Sequence, residues 1–541
     1  LASKMRGSTT QWLICLELGL DSAEIKKRIE QLSPIAMRLE VKRALNGSML
    51  VNDVYNADLG SLEIALDVLN RQTEYSDRVL ILSDILQSGL TAEQLCERLN
   101  VLIQRFNIQR FIGIGPVMQQ MHAFLEAPSV KTFRDTESFL RSFHRFHFEK
   151  CALLVKGARP FRLERVCQRI EERVHETRME INLNAVVNNL NHFRKQLAPN
   201  TKLMAMVKAS SYGSGSIQIA KLLAFHRVDY LAVAYADEGI ELRDAGVSLP
   251  IMVMSPEMKG FDQMVHNRLE PEIYNFKMLK AFRRNLNDTE PELLPFPVHI
   301  MLDTGMKRLG FEEHEIEALA YELKATPGIR IASVLSHLAG ADDAIHDSFT
   351  QRQIQRFNEM YARLSEIIGY KPMKHILNSA GISRHPHAQF DMVRLGIGLY
   401  GVARTEDDRK KLEPVISLKS EIIQMKEVKA GESVGYGRQE IAAKNMTTAT
   451  VSLGYADGLA RRLGNRRSYL LVNGNQAPIV GNICMDMCMI DITNVEAEVG
   501  TEVEIFGVHR SLTDFAKELD TIPYEVLTSV PPRVKRIYFQ E

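Results

Sequence analysis

The 541-residue chain has no excess of charge of either sign, because Lys and Arg together number 67 and Asp and Glu together also number 67. That balance argues against a nucleic acid or an anionic membrane surface recognised through bulk charge. The sequence also lacks an apolar run of the roughly 20 residues that a membrane-spanning helix needs, and no signal-peptide core follows its first residues. We therefore predict a cytoplasmic protein with neither nucleic acid nor membrane as a partner.

Cysteine is scarce, with 6 in the whole chain. Only Cys484 and Cys488 lie close together, and no second pair completes the spacing of a metal site. Few, scattered cysteines are typical of a protein whose thiols stay reduced in the cytosol. The sequence therefore predicts no metal centre.

Hydrophobic residues make up 45% of the chain, and its length suggests roughly three or four domains. In residues 1–175, short apolar runs at 49–51, 79–82, 111–114 and 152–155 alternate with segments of helical spacing at 62–70 and 92–106. This alternation predicts a small doubly wound α/β domain. The charged segment 162–178 predicts a solvated linker helix.

Residues 180–405 continue the alternation of strands and helices. The predicted strands are 203–207, 230–234, 251–254, 298–302, 331–335, 375–377 and 392–393, and Gly246 is well placed to end the helix predicted at 237–244. This count and length are typical of a (β/α)8 barrel. From residue 412 onward, short apolar runs are separated by Gly, Asn and Asp, which predicts a mostly antiparallel β domain.

Lys208 directly follows the apolar run 203–207, and a loop of small residues comes after it. In a parallel α/β barrel, catalytic groups lie at the carboxyl ends of the strands. A lysine in that position can form a Schiff base with a carbonyl cofactor.

The run Val207-Lys208-Ala209-x-x-Tyr212-Gly213-x-Gly215 resembles the cofactor-lysine motif of the alanine racemase family. Seven further motifs, at 303–310, 336–337, 378–380, 393–397, 454–458, 484–486 and 522–525, follow in that family's order. The resemblance covers residues 178–541. It implies a barrel of the fold type III pyridoxal phosphate (PLP) enzymes at 178–411, followed by the family's C-terminal β domain at 412–541. It also implies racemisation of L- and D-alanine by two bases, supplying D-alanine for peptidoglycan.

The resemblance assigns a role to each site residue. Lys208 would bind PLP and act as the base on one face, and Tyr455 would be the acid and base on the other. Arg394 would face the pyridine nitrogen and, because an arginine donates and does not accept, leave that nitrogen unprotonated. A less electrophilic ring restrains transamination while still allowing racemisation. The remaining implied residues are His337 beside Tyr455 and Arg394, the phosphate ligands Tyr212, Ser379, Tyr524, Gly396 and Ile397, and the substrate-side residues Arg308 and Met485.

One residue departs from the family pattern. Two residues before Asp303, the resemblance implies a carbamylated lysine paired with Arg308, but this chain has Met301. A thioether cannot supply the negative charge, so Arg308 needs another carboxylate, a bound anion, or a different position. We expect racemisation with a dependence on anions such as chloride.

The segment Gly47-x-x-Leu50-Val51-Asn52-Asp53-Val54-Tyr55-Asn56-Ala57-Asp58, together with 154–159, resembles the C-terminal domain of Mur ligases. The type implied adds D-alanyl-D-alanine to a UDP-muramoyl-tripeptide. The ligand candidates are Asp53, Tyr55, Asn56 and Lys156.

The resemblance divides the N-terminal third into a ligase-type α/β domain at 37–173 and a tail of the ligase central domain at 1–36. The chain would then be the later part of a bifunctional ligase–racemase. It has no Gly-x-x-x-x-Gly-Lys-Ser/Thr phosphate loop, so ATP and Mg²⁺ belong to the full-length ligase, and we expect no ligase activity from this part.

Three alternatives remain beside the alanine racemase: part of the ATP-dependent ligase, a non-catalytic PLP-binding protein on the same barrel, and a racemase of other amino acids. Tyr455 and the β domain argue against the PLP carrier. The resemblance further implies a head-to-tail homodimer in which the Tyr455 of one subunit serves the Lys208 of the other.

Overall fold

The computed structural model describes residues 40–54, 57–71, 75–86, 88–170, 177–403 and 405–540. They belong to two compact units, which meet in sequence between Val174 and His175. The ligase tail predicted at 1–36 lies outside the described residues.

The first unit is an α/β domain built on a six-stranded sheet with the order β1-β2-β6-β3-β4-β5. The strands are β1 (Glu40–Ala44), β2 (Ser48–Asp53), β3 (Asp77–Ser83), β4 (Arg110–Ile114), β5 (Ser129–Phe133) and β6 (Cys151–Lys156). All pairs are parallel except the β1–β2 hairpin. Apolar clusters cover both faces of the sheet, so the predicted doubly wound domain is confirmed. The sequence prediction missed the two edge strands, β1 and β5.

The helices of this unit begin where the sequence supplies caps. Asp58 accepts a hydrogen bond from the Ser61 amide, and Thr91 forms a reciprocal capping box with Gln94. The helices are Leu59–Asn70, Ala92–Arg105, Pro116–Gln120, Thr136–Arg141 and Glu164–Ile170.

The linker helix predicted over 162–178 is corrected by the structure. The helix is Glu164–Ile170, and its side chains Val166, Cys167 and Ile170 are buried. Their spacing places them on one helical face, so this segment is part of the core of its domain rather than a solvated helix.

The second unit begins with β7 (Arg178–Asn182) and continues as a barrel of eight parallel strands. They are β8 (Lys202–Met206), β9 (Tyr230–Val233), β10 (Ile251–Val253), β11 (Leu269–Ile273), β12 (Phe296–Met301), β13 (Ile329–Leu335), β14 (Met373–His375) and β15 (Met392–Leu395). The amides of Asp391 and Arg394 donate to the carbonyls of Lys374 and Leu377 at 3.1 and 3.0 Å, which links β15 to the segment of β14. The predicted barrel is confirmed.

The sequence prediction missed β11. Its residues Glu270, Pro271 and Glu272 interrupt the apolar run by which buried parallel strands are identified, yet all three are buried. The helices of the barrel are Leu183–Arg194, Ser216–Phe225, Ala236–Asp244, Phe261–His266, Phe276–Asn285, Ile316–Lys324, Asp347–Ile368, Ser379–Arg384 and Glu406–Lys411.

The C-terminal domain is a β domain around the long strand β16 (Ile416–Val428). Its other strands are β17 (Ser433–Val434), β18 (Glu440–Ile441), β19 (Met446–Val451), β20 (Tyr469–Val472), β21 (Asn475–Val480), β22 (Cys488–Asp491), β23 (Glu502–Phe506) and β24 (Lys535–Phe539). β16 pairs with β7 and β23 along its first half and with β19 along its second half, so the sheet folds back on itself. The prediction of a mostly antiparallel domain is confirmed, since only β7–β24 is parallel.

The position of β7 corrects the predicted domain boundary. Residues 178–182 were assigned to the barrel, but they pair with β16 and β24 of the β domain. Arg178 strengthens this pairing through ion pairs with Glu180, Glu421 and Glu502. The chain thus enters the barrel only after contributing a strand to the C-terminal domain.

Two short helices, Leu512–Glu518 and Pro523–Ser529, complete the β domain. Among the helices of the described residues, none combines the length and the apolar composition required to cross a bilayer.

Candidate active site

A cavity of about 170 Å³ lies at the carboxyl ends of the barrel strands. Four residues predicted for the site, Lys208, Arg308, His337 and Arg394, line it together. The rest of its wall consists of Ala234, Met254, Ser255, Glu272, Met301, Leu309 and Leu335. The barrel therefore brings together side chains that lie up to 186 residues apart in sequence, between positions 208 and 394.

A left-handed turn directly follows Lys208. Ala209, Ser210, Ser211 and Tyr212 all have φ between 51 and 54°. For residues other than glycine this conformation costs roughly 1–2 kcal/mol each. The carboxylate of Glu238 opposes that cost by accepting from the Ala209 amide at 2.6 Å. Strain of this kind is concentrated at functional sites.

The charge on Lys208 is set by its surroundings. Burial lowers the pKa of Lys208, and the positive charges of Arg308 and Arg394 lower it further. Glu238 and Glu272 oppose this shift without reversing it. A lysine with a lowered pKa is more readily available as a free amine, the form that acts as a base or a nucleophile.

Arg394 is buried and surrounded by acceptors. One nitrogen of its guanidinium donates to His375 Nδ1 at 2.7 Å, and the other donates to the carbonyls of Ser336 and Ile376 at 2.6 and 3.0 Å. Burial lowers the pKa of Arg394 to about 10, which leaves it a cation at neutral pH. These contacts fix the plane of the guanidinium, so Arg394 lines the cavity in a defined orientation.

His375 continues a hydrogen-bonded chain across the barrel interior. Because the Arg394 guanidinium can only donate, His375 Nδ1 accepts, and its Nε2 donates to Ser333 Oγ at 2.8 Å. The Ser333 hydroxyl then donates to His299 Nδ1 at 2.6 Å, and His299 Nε2 donates to Glu270 at 2.9 Å. Burial lowers the pKa of His375, and Arg394 adds to the effect. His375 is therefore neutral, and every donor in the chain points from Arg394 towards Glu270.

His337 lines both the Lys208 cavity and a neighbouring cavity of about 280 Å³. Burial lowers its pKa to about 3, with further contributions from the positive charges of Arg394, Arg308 and Lys208. The imidazole is therefore neutral at physiological pH. Its contact with Arg394, at 3.4 Å from Nδ1, agrees with the network that the sequence predicted for these two residues.

The second cavity is lined by three of the residues predicted to hold phosphate, Ser379, Ile397 and Tyr524. The other two lie beside them. Ser379 Oγ accepts from the Gly396 amide at 2.8 Å, and the Tyr212 ring packs edge-on against Tyr524 with centroids 5.5 Å apart. All five predicted phosphate ligands are thus brought together next to His337.

Gly396 is required by a close approach within this cradle. A Cβ atom at this position would lie 2.9 Å from the Tyr212 hydroxyl and 3.7 Å from Ser379 Oγ. The absence of a side chain leaves room around backbone amides and hydroxyls, the donors that suit a phosphate dianion.

Tyr455 and Met485 lie in the β domain, and neither lines the Lys208 cavity. The amides of Tyr455 and Ala456 donate to the carbonyls of Cys484 and Met485 at 3.0 and 2.9 Å, so the two predicted residues are neighbours. Tyr455 is 42% exposed and Met485 is 54% exposed. Within one chain, the structure does not bring the two predicted bases together.

The turn that carries Tyr455 is held by Asp457. This buried carboxylate accepts from the Gly454 amide at 2.8 Å and from Arg533 Nε at 2.7 Å. Arg533 also donates to Asp486 at 2.7 Å. Tyr455 is therefore exposed but rigidly placed.

Arg308 belongs to a loop that Asp303 shapes. Asp303 Oδ1 accepts from the amides of Gly305 and Lys307 at 2.8 and 3.1 Å, and the Phe311 amide closes the loop on the Met301 carbonyl at 2.9 Å. The Arg308 side chain reaches the Lys208 cavity. In the described parts of the chain it makes no hydrogen bond and no ion pair.

The sequence reasoning did not identify Glu238, Glu272 or the chain from His375 to Glu270. The one signal for Glu272 was the pair Glu270 and Glu272, two residues apart in an otherwise apolar segment. In a strand this spacing places both side chains on one face.

In the first unit, Asp53 and Lys156 face each other across β2 and β6, and their side chains form a buried ion pair at 2.5 Å. The other two ligase candidates, Tyr55 and Asn56, lie outside the described residues. The assignment of this unit to a ligase remains a prediction.

Comparison with known proteins agrees with the racemase resemblance. The model of the alanine racemase N-terminal domain matches residues 181–404, and that of the C-terminal domain matches residues 415–538. Alanine racemase 2 of Caldanaerobacter subterraneus subsp. tengcongensis is 36% identical over 376 residues, covering 68% of this chain and 96% of the relative. The alanine racemase of Methanococcus maripaludis is 35% identical over 375 residues, covering 67% and 99%.

Solved structures give the same result. The alanine racemase of Clostridium difficile is 34% identical with a TM-score of 0.64, covering 68% of this chain and 97% of that one. The alanine racemase of Bartonella henselae, solved with covalently bound pyridoxal phosphate, is 31% identical with a TM-score of 0.61, covering 67% and 99%. The chain therefore belongs to the alanine racemase family.

Proposed function

We propose that residues 175–540 interconvert L- and D-alanine with PLP as cofactor. The observation that carries the proposal is the shared cavity of Lys208, Arg394 and His337, adjacent to a cradle of hydroxyls and amides. The residues fit PLP: Lys208 supplies an amine for its aldehyde, Arg394 a donor for its ring nitrogen, and Ser379 with Gly396 a cradle for its phosphate. When bound, PLP supplies the electron sink that stabilises the carbanion formed at the substrate Cα.

Proton transfer at Cα is the task of two protein groups. Lys208 Nζ accepts or returns the proton on one face, since its lowered pKa favours the free amine. Tyr455 Oη acts on the opposite face. Its position on a rigid, exposed turn suits a group that has to reach a site outside its own chain.

Arg394 restrains the reaction to racemisation. It can donate to the pyridine nitrogen but cannot protonate it. Its own contacts with His375, Ser336 and Ile376 keep it in place. A moderate electron sink favours return of the proton over transamination.

We further propose a homodimer with shared sites. Tyr455 and Met485, together with the 41% exposed Met487, present an apolar patch on the β domain. Large apolar surface exposed in a single chain is typical of an interface. A two-fold dimer would deliver Tyr455 to the partner's cavity and complete both sites.

The first test is conversion of L-alanine to D-alanine by the purified chain with added PLP, compared with Lys208→Ala. We expect conversion by the first protein and none by the second.

The shared site is tested by mixing Lys208→Ala with Tyr455→Phe. When equal amounts exchange subunits at random, about half of the dimers are mixed, and each mixed dimer keeps one of its two sites intact. About a quarter of the wild-type activity should therefore return. Conversion by an isolated monomer, or no recovery in mixtures shown to exchange subunits, would contradict the shared site.

For the first unit, we propose the C-terminal domain of a Mur-type ligase, supported by the motif around Asp53 and its ion pair with Lys156. The racemase would then make the D-alanine consumed in peptidoglycan synthesis. The proposal is tested by binding of a UDP-muramoyl peptide to the whole chain in the absence of ATP, since the chain has no phosphate loop to bind ATP. Binding of the peptide moiety that is abolished by Asp53→Asn supports it, and no binding argues against it.

A further inference from the structure

Glu272 is a buried carboxyl group that the proposed mechanism does not use. It lies on β11 with only 2% of its surface exposed, and it lines the Lys208 cavity. Its Oε2 has no hydrogen-bond partner. Burying a carboxyl group without a partner is costly, so its presence in a functional cavity calls for a ligand or a counter-charge.

Three cations share the cavity with Glu272: Lys208, Arg308 and Arg394. Each of them interacts electrostatically with the carboxyl group. Two already have partners, because Arg394 is held by His375 and backbone carbonyls and Lys208 is the residue proposed to bind PLP. In the described parts of the chain none of the three forms an ion pair, and Arg308 is the one that neither a hydrogen bond nor the proposed cofactor engages.

The wall beside Arg308 offers no other negative group. Met301 is 4% exposed and lines the same cavity, but its thioether carries no charge. Met301 is on β12, the strand that pairs directly with β11 through Glu272 and His299. Met301 lies two residues beyond the register partner of Glu272, and both side chains line the same cavity.

We propose that Glu272 is the counter-charge that holds the Arg308 guanidinium in the cavity, where it binds the carboxylate of the substrate. This inference rests on the proposed racemase function. A guanidinium has five N–H donors, enough to bind Glu272 on one side and a substrate carboxylate on the other. Glu272 is a positioning residue in this arrangement, and it takes the place that an anion such as chloride would otherwise fill.

The test compares wild type with Glu272→Gln at pH 9, where the Glu272 carboxyl group, with a pKa of about 8, is ionised. The buffers contain either chloride or the larger anion gluconate. For wild type, in contrast to the chloride dependence expected from the sequence, we expect the same KM for L-alanine in both buffers. For Glu272→Gln, KM should rise on the order of tenfold in gluconate, with a smaller change in kcat, and chloride should reverse part of the rise. Glu504→Gln is a matched control, since Glu504 is also a buried glutamate, but it lies in the β domain and accepts from the His509 amide.

A rescue variant separates charge from packing. Because Met301 lines the same cavity, Glu272→Gln combined with Met301→Glu returns one carboxyl group from the adjacent strand. We expect this double variant to recover a low KM in gluconate. An unchanged KM in Glu272→Gln, or a wild-type KM that depends on chloride as strongly as that of the variant, would overturn the proposal.

Failure of the proposed function would be recognised separately. If wild type does not racemise alanine, the function is wrong, and chloride binding still tests the role of Glu272. Line broadening of the chloride NMR signal should be greater with Glu272→Gln than with wild type, and combining the variant with Arg308→Gln should remove the difference. Equal broadening by wild type and Glu272→Gln would refute the counter-charge without reference to activity.

Discussion

Arg394 donates to His375 Nδ1 at 2.7 Å, and both side chains are buried in the barrel. The contact determines the tautomer of His375, and through Ser333 and His299 it connects the cavity to Glu270. The orientation of one arginine is thus set by strands β11 to β15. A substitution in this series of hydrogen bonds should change the orientation of Arg394, although the substituted residue contacts neither PLP nor the substrate.

We expect His375→Leu to lower the free energy of unfolding by about 1–3 kcal/mol, because a buried donor of Arg394 loses its acceptor. The kcat/KM for alanine should fall, while Arg394 stays partly fixed by the carbonyls of Ser336 and Ile376. Urea denaturation and racemisation assays would measure both effects. Ser333→Ala, one hydrogen bond further from Arg394, should lower kcat/KM less than His375→Leu does. A larger effect of Ser333→Ala would contradict the proposed role of this series of hydrogen bonds.

The pH dependence of KM should report on Glu272. Burial raises the pKa of Glu272 to about 8, against the opposing effect of Arg394, Arg308 and Lys208. The carboxylate that pairs with Arg308 therefore forms as the pH rises through 8, so KM for alanine should fall between pH 7 and about 9. In Glu272→Gln this fall in KM should be absent. Identical pH profiles of KM for the two proteins would exclude a role of Glu272 in the pH dependence.

The same pKa has a consequence for stability. The folded-state pKa of Glu272, about 8, exceeds the unfolded value of about 4.3, so the folded chain binds more protons between these limits. Stability from this group is therefore fully present below about pH 4.3 and is lost as the pH rises through 8. Denaturation of the PLP-free protein at pH 5 and pH 8 should show a smaller decline for Glu272→Gln than for wild type.

Asp457 should control activity through the placement of Tyr455. Asp457→Asn keeps the size of the side chain but weakens its bonds to the Gly454 amide and to Arg533. We expect a loss of kcat of about tenfold or more, since a shift of a catalytic group by an ångström can cost on the order of a hundredfold. PLP binding, measured by absorbance, should stay unchanged because Lys208 and four of the five predicted phosphate ligands lie in the barrel. The fifth, Tyr524, is on the separate helix Pro523–Ser529. A parallel loss of PLP affinity would argue for general unfolding instead.

The barrel could be predicted from the sequence wherever its strands are continuous apolar runs, as in β9, β10 and residues 203–206 of β8. The sequence prediction missed β11 because Glu270, Pro271 and Glu272 lower its apolar content. The two glutamates are the polar groups that β11 contributes to the barrel interior. β7 was assigned to the wrong domain, since its partners in β16 lie more than 230 positions away and local pattern does not encode pairing. The existence of strands with a continuous apolar run was thus predictable, and the pairing of strands distant in sequence was not.

The site was predicted through motifs that stand next to one another in sequence, such as the one around Lys208. Residues that are distant in sequence and meet only in the folded protein form no such motif. His299, Ser333 and His375 lie on three different strands and become one hydrogen-bonded chain only when the barrel closes. The sequence left open whether Arg308 contacts another carboxylate, binds an anion or takes a different position. Only the packing of β11 beside β12 offers Glu272 as the carboxylate.

Gly396 gives a direct test of the phosphate cradle. In Gly396→Ala the new Cβ would lie 2.9 Å from the Tyr212 hydroxyl, tighter than an ordinary contact, so Tyr212 has to move. Since Tyr212 is packed between Tyr400 and Tyr524, with ring centroids 5.0 and 5.5 Å away, it has little room.

We therefore expect Gly396→Ala to weaken PLP binding by about tenfold, as expected for the loss of one hydrogen bond to a charged group. Absorbance titration of the PLP-free chain would measure this. Gly328→Ala is the matched control, because its Cβ would meet only Leu286 and Leu294 at 3.8 and 4.0 Å. Equal PLP affinity in Gly396→Ala and Gly328→Ala would show that phosphate does not lie between Tyr212, Ser379 and the Gly396 amide.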